Sequence, residues 1–182
     1  MLSRSDCALV RIALQMGLIL LACGFVSAQD IKTNYVPGTD FSKYKTYKWV
    51  NIEGAQKPDQ IVDQQITQAI DTQLASKSLT KTNDEKADLF VGYQVSIAQQ
   101  TEWNAYGTGG RRWGGGMGTA TSSTIQIGTL GLDFYDSGAE KLLWRGTATK
   151  TLNPSKDPQK NQDRLNKAVA KLLKDFPPKA GK

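Results

Sequence analysis

The chain has 182 residues, a formal net charge of +6, two cysteines and no histidine. Without histidine it has no Ser-His-Asp or Cys-His triad and no imidazole for zinc or for proton transfer near neutral pH. Its length is that of one ordinary domain, able to close a core by packing alone.

Residues 1–28 read as an export signal. Arg4 and Arg11 give a basic start, 12–22 are mostly apolar, and Val26-Ser27-Ala28 has the spacing of a signal-peptidase site before Gln29. The apolar run is well short of the ~20 residues a membrane-spanning helix needs. Cleavage after Ala28 yields a periplasmic or secreted protein. A second reading takes Leu20-Leu21-Ala22-Cys23 as a lipobox, with Cys23 the lipidated first residue of a chain anchored to the outer membrane. Cys7 precedes both cuts, so neither product keeps a pair for a disulfide. Thiolate catalysis and thiolate metal sites are lost with it, and no metal site is expected. The remaining basic excess is modest and dispersed. It suits solubility, or a peripheral lean toward anionic lipid or acidic glycan. No basic cluster joined to an aromatic sheet motif signals nucleic acid.

The mature region opens with two extended segments, 31–36 and 44–50, separated by the turn signal Pro37-Gly38-Thr39-Asp40. In the second, Tyr47 and Trp49 point one way and Thr46 and Lys48 the other. Asp59 caps a helix that runs to about Lys77. Val62, Ile66, Ala69, Ile70 and Leu74 form its apolar stripe, and Gln60, Gln64, Gln68, Asp71 and Gln73 fall largely on its wet side. The clearest strand follows: Leu89, Val91, Tyr93, Val95 and Ile97 alternate with Phe90, Gly92, Gln94, Ser96 and Ala98.

Residues 103–118 are glycine-rich and read as a flexible loop between strands, because clustered glycines lose much entropy on ordering. Gly107-x-Gly109 is not a dinucleotide fingerprint. Arg112 stands where the third glycine belongs, and no helix opens there. No cofactor is therefore expected. Trp103, Tyr106 and Trp113 offer flat apolar faces and Arg111 and Arg112 offer charge. Such a set can stack on sugars, enter a membrane interface or hold an anionic polymer.

A hairpin comes next, turning at Asp136-Ser137-Gly138-Ala139. Leu130, Leu132 and Phe134 share one face, as do Leu142, Trp144, Gly146 and Ala148. Placing Phe134 opposite Trp144 gathers the large apolar groups and sets Asp133 opposite Arg145 as a surface salt bridge. Ile125 and Ile127 are out of phase with Leu130, which predicts a bulge near Gly128. Asp157 and Pro158 start the last helix. Leu165, Ala168, Val169, Leu172 and Phe176 make its stripe, and Pro177-Pro178 ends it. The whole predicts an α+β two-layer sandwich: a mainly antiparallel twisted sheet of about five strands with two amphipathic helices on one face. The domain spans 29–178, and 179–182 form a frayed tail.

Five phrases resemble a known family: Asp40-Phe41-Ser42-Lys43-Tyr44-Lys45-Thr46-Tyr47 with Trp49, Ala87-Asp88-Leu89-Phe90-Val91-Gly92-Tyr93, Gly128-Thr129-Leu130 through Asp133, Leu143-Trp144-Arg145-Gly146-Thr147-Ala148, and Ala168-Val169 to Phe176-Pro177-Pro178. Together they resemble the bacterial envelope family called domain of unknown function 4136. The resemblance implies a two-layer α+β domain in exported proteins, many of them lipoproteins, and implies no activity.

Two function classes fit. One is a non-catalytic binding or accessory module of the cell envelope, with an envelope protein, glycan or anionic lipid as partner, working through the Gly-rich loop or an open sheet edge. The other is a hydrolase or transferase acting on envelope glycans through carboxylates among Asp84, Glu85, Asp88, Asp133 and Asp136. Glycoside chemistry of that kind needs two carboxyl groups about 5–9.5 Å apart across a cleft.

Overall fold

The computed structural model describes residues 29–106 and 119–178. Residues 1–28, expected as an export signal and including Cys23, and the tail 179–182 lie outside the described residues.

The strands are β1 (Asp30–Tyr35), β2 (Thr46–Trp49), β3 (Thr80–Lys81), β4 (Leu89–Tyr106), β5 (Thr119–Asp136) and β6 (Lys141–Leu152). The helices are α1 (Gln60–Ala75) and α2 (Pro158–Leu172). Among the described residues the six strands form one sheet in the order β1-β6-β5-β4-β2-β3. The expected α+β architecture holds, with the sheet mixed. β1, β6, β5 and β4 alternate antiparallel, but β2 runs parallel to both β4 and β3. The parallel pairs arise because α1 carries the chain from β2 back to the same end of the sheet, the crossover that parallel neighbours require.

Local chemistry explains the element ends. Thr39 N–H donates to Val36 O at 3.3 Å across Pro37-Gly38, and Gly38 takes φ +78°. Proline and then a positive-φ glycine is the type II turn pattern. Asp59 accepts from the N–H groups of Ile61 and Val62 at 3.0 and 3.1 Å, and Asp157 from Gln159 at 3.0 Å. Both are the caps expected. α1 stops at Ala75, two residues before the expected end, because Ser78 turns left-handed (φ +64°) and Leu79 N–H closes back on Leu74 O at 3.1 Å.

Both helices lie on one face of the sheet. Ile66, Ala69, Ile70 and Leu74 of α1 and Val169 and Leu172 of α2 are buried, and Val62 and Leu165 pack beside them. They meet Tyr47, Leu89, Val91, Tyr93, Leu130, Leu132, Phe134, Trp144 and Ala148. Phe134 stands opposite Trp144 with ring centroids 5.2 Å apart, and Phe176 stacks on Phe134 at 4.4 Å. Gly146 makes room for this cluster: a Cβ there would lie 2.3 Å from Trp144 Cη2 and 2.8 Å from Leu172 Cδ1.

Two expectations about the hairpin are corrected. The ladder keeps register past Gly128, and its irregularity falls between Phe134 and Tyr135 instead. Phe134 pairs with Trp144 and Tyr135 with Leu142, so Leu143 is the extra residue and turns into the core. Leu152 covers Gly128; a Cβ there would sit 2.7 Å from Leu152 Cδ2. Ile127 simply takes the other face of the sheet, across from Ala98. The second correction concerns Asp133, which pairs with Arg145 as expected but is buried, with 1% of its surface exposed.

Candidate binding arm

The acidic residues near the strand ends are tied into the fold. Asp88 accepts from the backbone N–H groups of Lys45 and Thr46 at 2.7 and 2.8 Å and from the Thr46 hydroxyl at 3.0 Å. Those donors hold its carboxyl below the usual carboxylate value. Asp136 accepts from Ala139 and Gly138 N–H at 2.8 and 3.0 Å and from the Tyr44 hydroxyl at 2.8 Å, and its pKa is lowered for the same reason. Both line a shallow recess of ≈ 240 Å³ with Lys43, Tyr44 and Ser137. Asp88 thereby ties the start of β2 to the start of β4, and Asp136 closes the β5–β6 turn. Asp84 accepts from Lys86 N–H at 2.9 Å, and Glu85 stands in solvent 4.0 Å from Lys48.

Asp133 receives a bidentate grip from Arg145, Nε to Oδ1 at 2.6 Å and a second guanidinium nitrogen to Oδ2 at 2.7 Å. Tyr135 donates its hydroxyl to the same carboxylate at 3.3 Å. The Arg145 side chain remains 48% exposed over the buried acid. Among the described residues no group of three or more potential ligands could hold a metal ion, and no helix is long and apolar enough to cross a membrane.

Two functional-looking acids escaped sequence reasoning. Asp71, expected on the wet side of α1, faces the sheet. It accepts from the Tyr47 hydroxyl at 2.7 Å and the Trp49 indole N–H at 2.8 Å, and pairs with Lys81 at 2.9 Å. Asp63, two turns earlier, accepts from the Tyr93 hydroxyl. Burial and these acids push the Tyr47 and Tyr93 hydroxyls above their ordinary values. A signal was available: three aromatic residues with polar tips lie on core-facing positions and need partners once buried.

The part of the molecule that leaves the body is the β4–β5 hairpin. Its ladder runs unbroken from Leu89↔Asp136 to Tyr106↔Thr119. β6 leaves β5 at Gln126↔Leu152, and β2 leaves β4 at Trp49↔Val91. The last stretch is therefore a two-stranded arm. Trp103 and Tyr106, expected in the loop, belong to β4 and pair with Ser122 and Thr119. The strand continues because Thr101, Thr119, Thr121 and Thr124 are β-branched and suit a pleated ribbon even without alternating apolar residues. Arg111, Arg112 and Trp113 lie outside the described residues, as does the rest of the Gly-rich segment 107–118. So the arm brings Trp103 and Tyr106 to the base of that segment.

Several solved structures are similar to this chain at low identity. A PDZ domain protein from Parabacteroides distasonis is 16% identical with a TM-score of 0.56; the match covers 84% of this chain and 37% of that one, so this chain spans little more than a third of its length. PelC from Paraburkholderia phytofirmans, described as a dodecamer, is 12% identical with a TM-score of 0.49, covering 80% of this chain and 95% of that one. A putative neuraminyllactose-binding hemagglutinin homolog from Helicobacter pylori is 12% identical with a TM-score of 0.39, covering 75% and 87%. No curated protein matches in sequence. The family model for the domain of unknown function DUF4136 matches residues 31–178, and the chain belongs to that family.

Proposed function

We propose that this domain is an exported, non-catalytic binding or accessory module of the cell envelope, and that it holds its partner at the end of the β4–β5 arm. The observation that carries the reading is the arm itself. Its ladder runs past the last pairing with β6 and β2 to Tyr106↔Thr119, and Trp103, Tyr106, Arg111, Arg112 and Trp113 cluster in sequence at and just after its end. Aromatic faces with guanidinium groups suit an envelope glycan, an anionic lipid or a protein partner. The leader-like 1–28 segment supports an envelope location. A carboxylate hydrolase has less support, since Asp88 and Asp136 each accept backbone amides that hold the fold and Asp133 is buried under Arg145.

The test replaces 99–125 with a short turn and compares partners recovered from cross-linked cells. Loss of specific co-purifying envelope components is the expected result. An unchanged set would remove the arm as the binding element. Mass spectrometry of the mature N-terminus decides the anchoring question, with Gln29 first in the soluble form and lipidated Cys23 first in the anchored form.

A further inference from the structure

Among the described residues the arm has two open edges. On the β4 side, Val50 N–H reaches Val91 O at 2.8 Å and Val95 N–H reaches Gln56 O at 3.1 Å. Past Val95 no described residue bonds to that edge. On the β5 side, pairing with β6 ends at Gln126. Antiparallel strands alternate their backbone groups between neighbours. Since Val91 and Val95 point away from β5, so do Ile97, Gln99, Thr101, Trp103 and Ala105. By the same alternation Thr124, Ser122 and Ala120 present their backbone groups on the far edge of β5. No register shift interrupts the β4–β5 ladder.

Open edges are normally guarded by charge, proline, brevity or a bulge. This sheet guards its outer edges in that way: β1 carries Asp30 and Lys32, and β3 is only Thr80–Lys81. The arm has almost none of these devices. Residues 96–106 and 119–127 contain no lysine, arginine or proline, and Glu102 is their single charge. Ile97, 64% exposed, and Leu152, 38% exposed, leave apolar surface at the base of the arm. A two-stranded ribbon is marginal by itself and is stabilised by a third strand.

We propose that the missing strands come from other copies of this chain, with the β4 edge of one arm pairing against the β5 edge of the next. β4 and β5 run in opposite directions, so such a contact continues the antiparallel alternation from copy to copy. Both halves of the contact are present on every copy. The arm also lets copies of a chain of net charge +6 approach through a nearly uncharged stretch. A head-to-tail contact of this kind closes into a ring or runs on as a filament. It does not depend on what the arm's tip binds, so it can fail without the proposed function failing, and the reverse.

Proline tests it without breaking the arm. Thr101→Pro removes an N–H that faces outward from β4, and Thr124→Pro removes one that faces outward from β5; neither N–H serves the β4–β5 ladder. Native mass spectrometry and light scattering of the purified full chain should show assemblies larger than a dimer. Each proline variant alone should be monomeric and keep the wild-type circular dichroism spectrum, which shows that the domain is still folded. Their mixture should stop at heterodimers, which only a head-to-tail contact allows. Thr101→Lys, which keeps every backbone donor, should weaken assembly by roughly tenfold or more. A wild-type chain that stays monomeric at every soluble concentration overturns the proposal. So does a Thr124→Pro variant that assembles like wild type, or a monomer whose arm holds a foreign strand instead.

Discussion

The Asp71 carboxylate of α1 accepts the Tyr47 hydroxyl at 2.7 Å, binding the helix to the strand beneath it. Trp49 shares the same oxygen at 2.8 Å, and Lys81 takes the other at 2.9 Å. One acid thus links α1, β2 and β3, and β3 is only two residues long. Asp71→Ala leaves two donors near the core without an acceptor. It should destabilise the domain by about 2–3 kcal/mol, while Tyr47→Phe, which removes a donor and keeps the ring, should cost about 1 kcal/mol. Urea unfolding followed by tryptophan fluorescence measures both. Equal losses for the two variants would show that the acid matters only through Tyr47.

Gly146 tests the packing of α2. The Cβ of alanine would press on Trp144 and Leu172, both almost wholly buried. Trp144 cannot move without disturbing Phe134 and Phe176. Gly146→Ala should therefore destabilise by about 1–3 kcal/mol despite alanine's smaller loss of backbone freedom on folding. A thermal midpoint at or above that of wild type would mean that α2 can shift outward at little cost. The matching variant Gly138→Ala, whose Cβ would meet only Asp136 Oδ1 at 3.5 Å, should be nearly neutral.

Arg145 and Asp133 make a lopsided pair, an acid sealed in the sheet under a half-exposed guanidinium. Arg145→Met leaves the acid with the Tyr135 hydroxyl as its remaining donor. The expected cost is about 2–3 kcal/mol, below that of breaking a fully buried pair because water reaches Arg145. Adding Asp133→Asn should recover part of the loss. A double-mutant cycle in urea checks this; additive losses would show that the two side chains do not interact energetically.

Much of this fold is legible in the residues themselves. Period-two alternation places Leu130, Leu132 and Phe134 on one face and puts Phe134 across from Trp144, with Asp133 facing Arg145 as a consequence. The caps at Asp59 and Asp157 follow from residue chemistry alone. Other features depend on partners distant in sequence. The parallel seat of β2 between β4 and β3 is set by the path of α1, which no local pattern encodes. Leu143 and Leu142 are equally apolar, so only the assembled core decides which one bulges inward. The arm is harder still to read, because Gln99-Gln100-Thr101-Glu102 has no apolar alternation and resembles the start of a loop. Its pairing is backbone pairing, and the sequence marks it only by β-branched threonines on β5 and the absence of breakers. The candidate binding residues were legible as a composition, Trp103 to Trp113, but their division between strand and Gly-rich segment was not.

Acid should unfold the domain from the end where β4 begins. Asp88 holds the Lys45 and Thr46 amides, and Asp136 holds the hairpin turn and Tyr44. Both carboxyls titrate below their ordinary value of 3.8 because the ionised form accepts those hydrogen bonds. A folded value below the unfolded one means that the unfolded chain takes up protons first. The stability from these groups is therefore complete above the ordinary value and is lost as pH falls through the lower folded values. Urea midpoints should hold steady toward neutral pH and drop below about 4. Asp88→Asn removes one of the two titrating anchors, so it should lower stability near neutral pH and flatten the acid limb. An acid limb as steep as that of wild type would place the proton uptake on other carboxylates.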